Sequence, residues 1–163
     1  MLRWRRLTKG RVPPYPARMS EVPDAVRQMA EHMAATVPQA ASLGFRLVSV
    51  DVARGSIEVP WRDDLVGDPD TQVIAGGVVT SLLDHTCGLA MAAAAGAEPF
   101  STATLDLRID YMRPAAPRSA ITAEAHCYKV TRTIAFVRAQ AYDAPRGEPI
   151  ATAQAAFMLL GTG

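Results

Sequence analysis

A single carboxylate lies in the middle of a long apolar stretch, where a charged side chain needs an explanation. Residues 75–97 read AGGVVTSLLDHTCGLAMAAAAGA, and Asp84 is the one formally charged side chain among them. Burying a carboxylate costs several kcal/mol unless a partner compensates for the lost water. The sequence therefore predicts either a reactive group or a polar contact at this position.

Two explanations of Asp84 stay open from the residues alone. In the structural one, an arginine or a set of backbone donors holds the carboxylate inside the core. In the functional one, Asp84 is a general base or a nucleophile. The next residue, His85, points about 100° away from Asp84 on a helix. We therefore interpret His85 as a polar or interface residue.

Two glycines mark the start of the same segment. At a helix N-terminus, Gly76 and Gly77 leave backbone N–H groups without intrahelical acceptors. Such donors favour an anion or the oxyanion that develops in a transition state. With Asp84 on the same helix, we expect the donors and the carboxylate to meet on one substrate carbonyl. A glycine pair that merely allows tight packing is the alternative.

The elements around this segment predict an α+β fold. Asp84 and the glycines argue against a membrane span, so the segment is expected to be a buried helix. Residues 102–112 alternate as a strand, with Leu105, Leu107, Ile109 and Tyr111 on one face. The other predicted strands cover residues 45–53, 56–61, 120–130, 133–142 and 149–160. Two shorter helices are predicted at 22–37 and 40–44. The predicted connections are a turn at Arg54 and Gly55, a polar loop at 62–72 and a hairpin turn at 143–147. One long helix beside a mainly antiparallel sheet is the expected architecture.

Composition excludes several classes of protein. A chain of 163 residues with 49% hydrophobic and 20% charged side chains is typical of a globular fold. Two cysteines and three histidines make a disulfide scaffold and a structural zinc site poor interpretations. A net charge of +1 gives no reason to expect a nucleic-acid partner.

The N-terminal 18 residues differ from the rest of the chain. They carry six basic side chains and no acidic one, and their apolar residues form no signal-peptide core. Met19 resembles a natural start. We therefore expect residues 1–18 to be a disordered or wrongly assigned extension, residues 19–163 to form a single domain, and the protein to be cytoplasmic without membrane contact.

Two blocks of the sequence resemble a known family. Residues 65–91, LVGDPDTQVIAGGVVTSLLDHTCGLAM, and residues 102–114, TATLDLRIDYMRP, are similar to the hotdog-fold thioesterases of the phenylacetate-pathway (PaaI-like) group. The resemblance extends from about residue 45 to the C-terminus. It implies a long helix wrapped by a curved antiparallel sheet of five or six strands. It also implies a homodimer or homotetramer with active sites between subunits. The implied reaction is hydrolysis of acyl- or aroyl-coenzyme A without a further cofactor.

The resemblance also implies roles for individual residues. Asp84 matches the catalytic acid that activates water or attacks the carbonyl. Gly76 matches a glycine whose N–H polarises the thioester oxygen, and Gly77 supports the same turn. Thr102 falls near a serine or threonine that assists the nucleophile. The positions expected to contact substrate are Asp68, Ala75, Gly77, Val78, Arg113 and Arg132, with Arg113 matched to a basic position suited to coenzyme A phosphates.

Two positions depart from the family pattern. The family histidine before the glycines is Ala75 here, and a common asparagine is Asp68. The first change removes a donor, and the second adds a negative charge. A non-catalytic module that binds or senses acyl-CoA therefore stays an alternative. An acyl thioester dehydratase, which would need a histidine such as His126 or His32 beside the carboxylate, is a more distant one.

Overall fold

The computed structural model describes residues 22–96, 101–144 and 147–160. The extension expected at residues 1–18 and part of the turn expected at 143–147 lie outside these ranges. These ranges contain three α-helices: α1 (Asp24–Thr36), α2 (Pro38–Leu43) and α3 (Gly76–Ala94). The strands are β1 (Arg46–Asp51), β2 (Arg54–Val59), β3 (Val66–Asp68), β4 (Val73–Ile74), β5 (Ser101–Tyr111), β6 (Ile121–Val130), β7 (Ile134–Tyr142) and β8 (Ala151–Leu160).

Six of the strands form one antiparallel sheet in the order β1-β2-β6-β7-β8-β5. The strand that follows α3 in the chain, β5, therefore lies at an edge of the sheet, paired with β8 alone among the described strands. A long helix against a six-stranded antiparallel sheet confirms the α+β hotdog architecture that the sequence predicts.

Helix α3 packs across the inner face of this sheet. By length and composition it is apolar enough to cross a membrane, but here Leu82, Leu83 and Leu89 are fully buried. The approach is close at Gly55 of β2, where a Cβ atom would lie 2.7 Å from the Leu89 side chain. Glycine at this position lets the helix lie against the sheet.

Small side chains line the sheet beneath the helix. Eight alanines on β6, β7 and β8 are at most 5% exposed among the described residues: Ala123, Ala125, Ala135, Ala139, Ala141, Ala151, Ala153 and Ala155. They alternate along the strands with outward-facing polar residues. The periodicity of two places this small-residue layer under α3.

Two local predictions were wrong. The turn expected at Arg54 and Gly55 lies two residues earlier, at Val52 and Ala53, where the Asp51 carboxylate accepts a hydrogen bond from the Val52 N–H at 2.7 Å. The polar loop predicted for residues 62–72 contains a short 3-10 turn (Asp63–Leu65) and the β3–β4 ladder. Asp68 closes that ladder by accepting hydrogen bonds from the Thr71 hydroxyl at 2.9 Å and the Asp70 N–H at 3.1 Å.

A β-bulge changes which residues of β5 face the helix. The pairing with β8 shifts between Thr104 and Asp106, so Leu105 is the extra residue and is 48% exposed. The predicted inward face of Leu105, Leu107, Ile109 and Tyr111 is therefore wrong at its first position. Thr104 takes that place, because the extra residue of a bulge reverses the alternation on one side of it.

Candidate active site

The start of α3 presents two backbone donors. Ala75 is the N-cap, and its carbonyl accepts hydrogen bonds from the N–H groups of Val78 and Val79. Within the described ranges, the N–H groups of Gly76 and Gly77 have no acceptor, and both residues are exposed. Unpaired N–H groups at the positive end of a helix dipole form a binding site for an anion or oxyanion. Val78, the next residue, packs against the core.

A tyrosine from β5 holds this first turn in place. The Gly76 carbonyl accepts hydrogen bonds from the Tyr111 hydroxyl at 2.6 Å and from the Thr80 hydroxyl at 3.1 Å. The two hydroxyl oxygens lie 3.0 Å apart. Because the Gly76 carbonyl shares its peptide plane with the Gly77 N–H, Tyr111 fixes the direction of the Gly77 N–H directly. It restrains the Gly76 N–H through the backbone of the same residue. The sequence alone indicates for Tyr111 only a place on a strand face.

Asp84 lies two turns further along α3 and faces β5. It is half-buried, and its Oδ1 accepts a hydrogen bond from the Thr104 hydroxyl at 3.1 Å. No arginine, lysine or backbone donor pairs with it in the part of the chain that the structure describes. The structural explanation of Asp84 therefore lacks the partner that it requires, and the second oxygen is available to a ligand.

The residue beside Asp84 has a structural contact. His85 Nε2 lies 3.0 Å from the Met33 carbonyl, and its ring is tilted against Phe45 at 5.7 Å. Burial lowers the pKa of His85, so the ring is neutral and its Nε2–H donates to Met33. This contact ties α1 to α3 on the side of the helix away from Thr104.

A shallow depression of about 610 Å³ adjoins the start of α3. It is lined by Gly67, Asp68, Thr71, Val73, Ile74, Ala75, Gly76 and Pro114. The walls are close to each other, because a Cβ on Gly67 would lie 2.8 Å from the Ala75 Cα. Asp68 contributes a carboxylate to this space, although its oxygens already accept the two hydrogen bonds of the β3–β4 turn.

The structure does not bring all of the expected residues together. Thr102 is on the same face of β5 as Thr104, but it forms no hydrogen bond with Asp84 among the described contacts. Arg113 forms a bidentate pair with Asp143 at 2.7 and 2.6 Å and donates to the Pro114 and Glu148 carbonyls. Arg132 is exposed in the β6–β7 turn, at the other end of the sheet from Arg113.

One cation beside the depression, Arg118, was not among the residues expected from the sequence. Arg118 donates its backbone N–H to the Gln72 carbonyl at 3.0 Å, next to Thr71 and Val73 of the lining. Its guanidinium lies 5.5 Å from the centroid of the Trp61 ring and is exposed. A left-handed backbone, with φ of 55° at Arg118, makes this approach possible, and nothing in the sequence around Pro117 signals it.

The spacing along α3 corrects one expectation from the sequence. Eight residues separate Gly76 from Asp84, which is about 12 Å at 1.5 Å per residue. An oxyanion donor and a nucleophile acting on one carbonyl must each lie within about 3 Å of it. The two groups of one chain are therefore too far apart to act on the same carbonyl.

None of the three histidines forms a contact with the Asp84 carboxylate among the described hydrogen bonds. His126 is on the face of the sheet that points away from α3, and His32 is exposed on α1. His85 is bonded to Met33. The histidine–carboxylate pair that a dehydratase needs is therefore not formed among the described residues. No group of histidine, cysteine and acidic side chains in those residues is arranged to hold a metal ion.

Comparisons with known proteins identify the family of this chain. The family model described as the thioesterase superfamily matches residues 71–150, which include α3 and β5. A solved Pseudomonas aeruginosa protein is 33% identical, with 82% of this chain and 98% of that chain covered and a TM-score of 0.73. The chain belongs to the thioesterase superfamily. The resemblance of its two sequence blocks to hotdog thioesterases is thereby confirmed at the level of the family.

Other solved structures share the fold of this thioesterase-superfamily chain. A thioesterase family protein from Silicibacter pomeroyi is 25% identical, with coverage of 85% and 97% and a TM-score of 0.70. The E. coli PaaI protein from the phenylacetic acid degradation operon is 18% identical, with coverage of 85% and 95% and a TM-score of 0.71. No match is found among curated proteins.

Proposed function

We propose that this protein hydrolyses the thioester of an acyl- or aroyl-coenzyme A to the free acid and coenzyme A. The observation that carries the proposal is Asp84, a half-buried carboxylate with one hydroxyl partner and no cation in the described residues. It acts as general base on water or as nucleophile on the carbonyl carbon. The Gly76 N–H stabilises the oxyanion that forms at the carbonyl oxygen.

The site is proposed to form between two copies of the chain, because Gly76 and Asp84 of one copy are about 12 Å apart. Strand β5 supports this arrangement, since it is an edge strand of eleven residues whose two faces are largely exposed. Two β5 strands paired antiparallel about a two-fold axis near Leu107 bring Thr104 of each beside Tyr111 of the other. Asp84 of one copy then approaches Gly76 of its partner, in a homodimer or a dimer of dimers.

The substrate's coenzyme A is expected to use the depression beside α3. Arg118, rather than Arg113, is the proposed contact for a phosphate, because Arg113 is already paired with Asp143. Arg132 of the partner subunit stays a proposed contact, since it is exposed. No other cofactor, nucleic acid or membrane is part of this proposal, and we place the protein in the cytoplasm.

A subunit-mixing experiment tests both the chemistry and the shared site. Asp84→Asn should retain the fold and lose about 10²-fold or more in kcat on the best of a panel of acyl-CoAs. Gly76→Pro removes the N–H while keeping the helix, because proline fits the first helical position. Glu31→Gln, on the exposed surface of α1 and away from β5, is the matched control, and it should keep wild-type turnover.

Heterodimers of the two inactive variants should regain activity. Each heterodimer would contain one site with Asp84 and Gly76 both intact, giving about a quarter of the wild-type rate after random mixing. Absence of any recovery, with both variants dimeric, would contradict the shared site. Wild-type turnover by Asp84→Asn would contradict the mechanism. A protein that binds acyl-CoA but turns over none of the panel would favour the binding module, for which the missing donor at Ala75 is the supporting observation.

A further inference from the structure

Gln72, in the turn between β3 and β4, joins three segments that are distant in sequence. Its backbone carbonyl accepts one hydrogen bond from the Trp61 indole N–H at 3.0 Å and another from the Arg118 backbone N–H at 3.0 Å. Trp61 follows β2, and Arg118 precedes β6. We call Trp61, Gln72 and Arg118 the indole–guanidinium cluster. A single carbonyl therefore holds an aromatic ring and an arginine beside the same turn.

Two residues of the indole–guanidinium cluster have a left-handed backbone. The angle φ is 56° at Gln72 and 55° at Arg118, which is uncommon for residues other than glycine. Contacts on both sides fix Gln72, because its N–H donates to the Asp68 carbonyl at 2.9 Å and its side-chain amide donates to the Pro69 carbonyl at 2.7 Å. A strained backbone persists where the surrounding contacts impose it, and such residues are concentrated at ligand sites. The cluster is therefore a pre-organised part of the surface.

The Arg118 side chain is held in place, but its charge is not neutralised. Its guanidinium lies 5.5 Å from the centroid of the Trp61 ring, and Nη2 lies 3.4 Å from Gln72 Oε1. No carboxylate pairs with Arg118 in the part of the chain that the structure describes, whereas Arg62 pairs with Asp64 at 2.6 Å. A guanidinium has five N–H donors and a planar face that stacks on rings. The exposed Arg118 therefore offers a face and several donors to a ligand.

The indole–guanidinium cluster adjoins the depression beside α3. Thr71 and Val73, the neighbours of Gln72, line this depression together with Gly76. Gln72 precedes Gly76 by four residues, and an extended chain of that length spans at most about 14 Å. A ligand whose thioester lies at the Gly76 N–H therefore reaches Arg118 across this distance, with the group at the end of a long arm. In an acyl-CoA that group is the adenine nucleotide, which follows the pantetheine arm.

We propose that Arg118 and Trp61 bind the adenine nucleotide of coenzyme A. The adenine stacks on the exposed face of the guanidinium, and a nucleotide phosphate accepts hydrogen bonds from its N–H groups. Gln72 is a positioning residue, because it holds both side chains. This inference rests on the thioesterase function proposed above, and it predicts which carrier of the acyl group the protein selects. One cation beside two exposed carboxylates, Asp68 and Asp70, suits a single nucleotide better than the acidic surface of a carrier protein, which would meet both carboxylates.

A comparison of two carriers tests the proposal by kinetics. The same acyl group is offered on coenzyme A and on pantetheine, which has the thioester but no nucleotide. Wild type should have a kcat/KM at least about tenfold higher for acyl-CoA, because a hydrogen bond to a charged group corresponds to roughly 10- to 100-fold in affinity. Arg118→Ala should lose this preference through a higher KM for acyl-CoA, while its kcat/KM for acyl-pantetheine stays at the wild-type level. Arg118→Lys, which keeps the charge without the planar fork, should retain only part of the preference.

Three further variants separate stacking from charge and from general effects on the surface. Trp61→Phe keeps a ring beneath the guanidinium and should retain most of the preference for acyl-CoA, whereas Trp61→Leu should reduce it. Melting temperatures show whether both variants are folded. Arg46→Ala, on the exposed edge strand β1, is the matched control for Arg118→Ala and should leave both kcat/KM values unchanged.

Binding of adenosine 3′,5′-bisphosphate, measured by calorimetry, separates this inference from the proposed hydrolysis. This probe has the nucleotide of coenzyme A but no thiol. It should bind to wild type, and at least about tenfold more weakly to Arg118→Ala. Such binding by a protein that hydrolyses no acyl-CoA would support the nucleotide site and contradict the proposed function.

Several results would overturn the inference. One is an equal kcat/KM of wild type for acyl-CoA and acyl-pantetheine. Another is an unchanged preference for acyl-CoA in a folded Arg118→Ala variant, which would leave the proposed hydrolysis intact. Absence of bisphosphate binding, or binding that Arg118→Ala does not weaken, would also contradict the nucleotide site. Faster turnover of the acyl group on an acyl carrier protein than on coenzyme A would make a protein the carrier instead.

Discussion

Thr104 donates a hydrogen bond to Oδ1 of Asp84 at 3.1 Å, and it faces the helix only because Leu105 is the extra residue of a bulge. The bulge therefore links the geometry of an edge strand to the carboxylate in the middle of α3. A hydrogen bond to an ionised acceptor is stronger than one between neutral groups, and it restricts the rotation of the acceptor. Thr104 positions Asp84 in this way.

Removing this hydroxyl should lower turnover without unfolding the protein. Thr104→Val is expected to reduce kcat by roughly 10- to 100-fold, since a hydrogen bond to a charged group contributes about 1.5–3 kcal/mol. Thr104→Ser should retain most of the rate, because it keeps the donor. Thr102→Val is the control on the same strand face. An equal loss in Thr102→Val and Thr104→Val would assign the effect to the strand rather than to the hydrogen bond.

The Tyr111 hydroxyl should matter for rate more than for substrate binding. Tyr111→Phe removes one of the two donors to the Gly76 carbonyl and leaves the Thr80 hydroxyl in place. Loss of one neutral hydrogen bond corresponds to about 1 kcal/mol, so kcat should fall about fivefold with little change in KM. Tyr128→Phe, on the outer face of the sheet, is the control. A change confined to KM would argue against a role in orienting the oxyanion donor.

Restoring a side-chain donor at the N-cap should raise activity. Ala75→His places an imidazole beside the Gly76 N–H, at the wall of the depression that Gly67 and Asp68 share. One additional hydrogen bond made in the transition state is worth about 1–3 kcal/mol, which predicts a clear rise in kcat/KM on the best wild-type substrate. Ala75→Phe, which fills the same space without a donor, should not raise kcat/KM. A folded Ala75→His variant with a lower rate would mean that this site is built around alanine.

Acid stability should depend on Asp143. The hydrogen bonds from Arg113 hold the pKa of Asp143 at about 2, below the 3.8 of a free aspartate. A carboxyl whose pKa is lower in the folded state stabilises the fold above its unfolded pKa, and this contribution disappears as the pH falls from about 4 to 2.

Melting temperatures of wild type and Asp143→Asn across that range check this expectation. The variant should be less stable by about 2 kcal/mol near neutral pH, because Arg113 and the Ala116 N–H lose a charged acceptor. The difference should shrink towards pH 2. Asp24→Asn, in a highly exposed ion pair, should show neither effect. A constant difference at all pH values would exclude the ionised carboxylate as its source.

The sequence predicted the parts of this fold that follow from periodicity and from the chemistry of single residues. The position of α3 and the isolation of Asp84 could be predicted in this way. The side-chain contacts that form the site could not be predicted, because they depend on the register between elements that are distant in sequence. The alternation of residues 102–112 is regular in sequence, so no signal reveals that Leu105 is extra. Arg113 and Asp143 are thirty residues apart, and their pairing depends on how β7 and the segment after β5 meet.

The alanine layer beneath α3 determines which kinds of mutation the interior of this protein tolerates. A core that consists largely of bulky side chains is damaged mainly by truncation, which leaves cavities. Here, much of the sheet face has nothing beyond Cβ to lose, and Gly55 already approaches Leu89 closely. Added methylene groups would push the helix away from the strands. Substitutions that enlarge a side chain in this layer should therefore destabilise the fold more than substitutions that shorten one. A redesigned core would have to keep the short distance between α3 and the sheet.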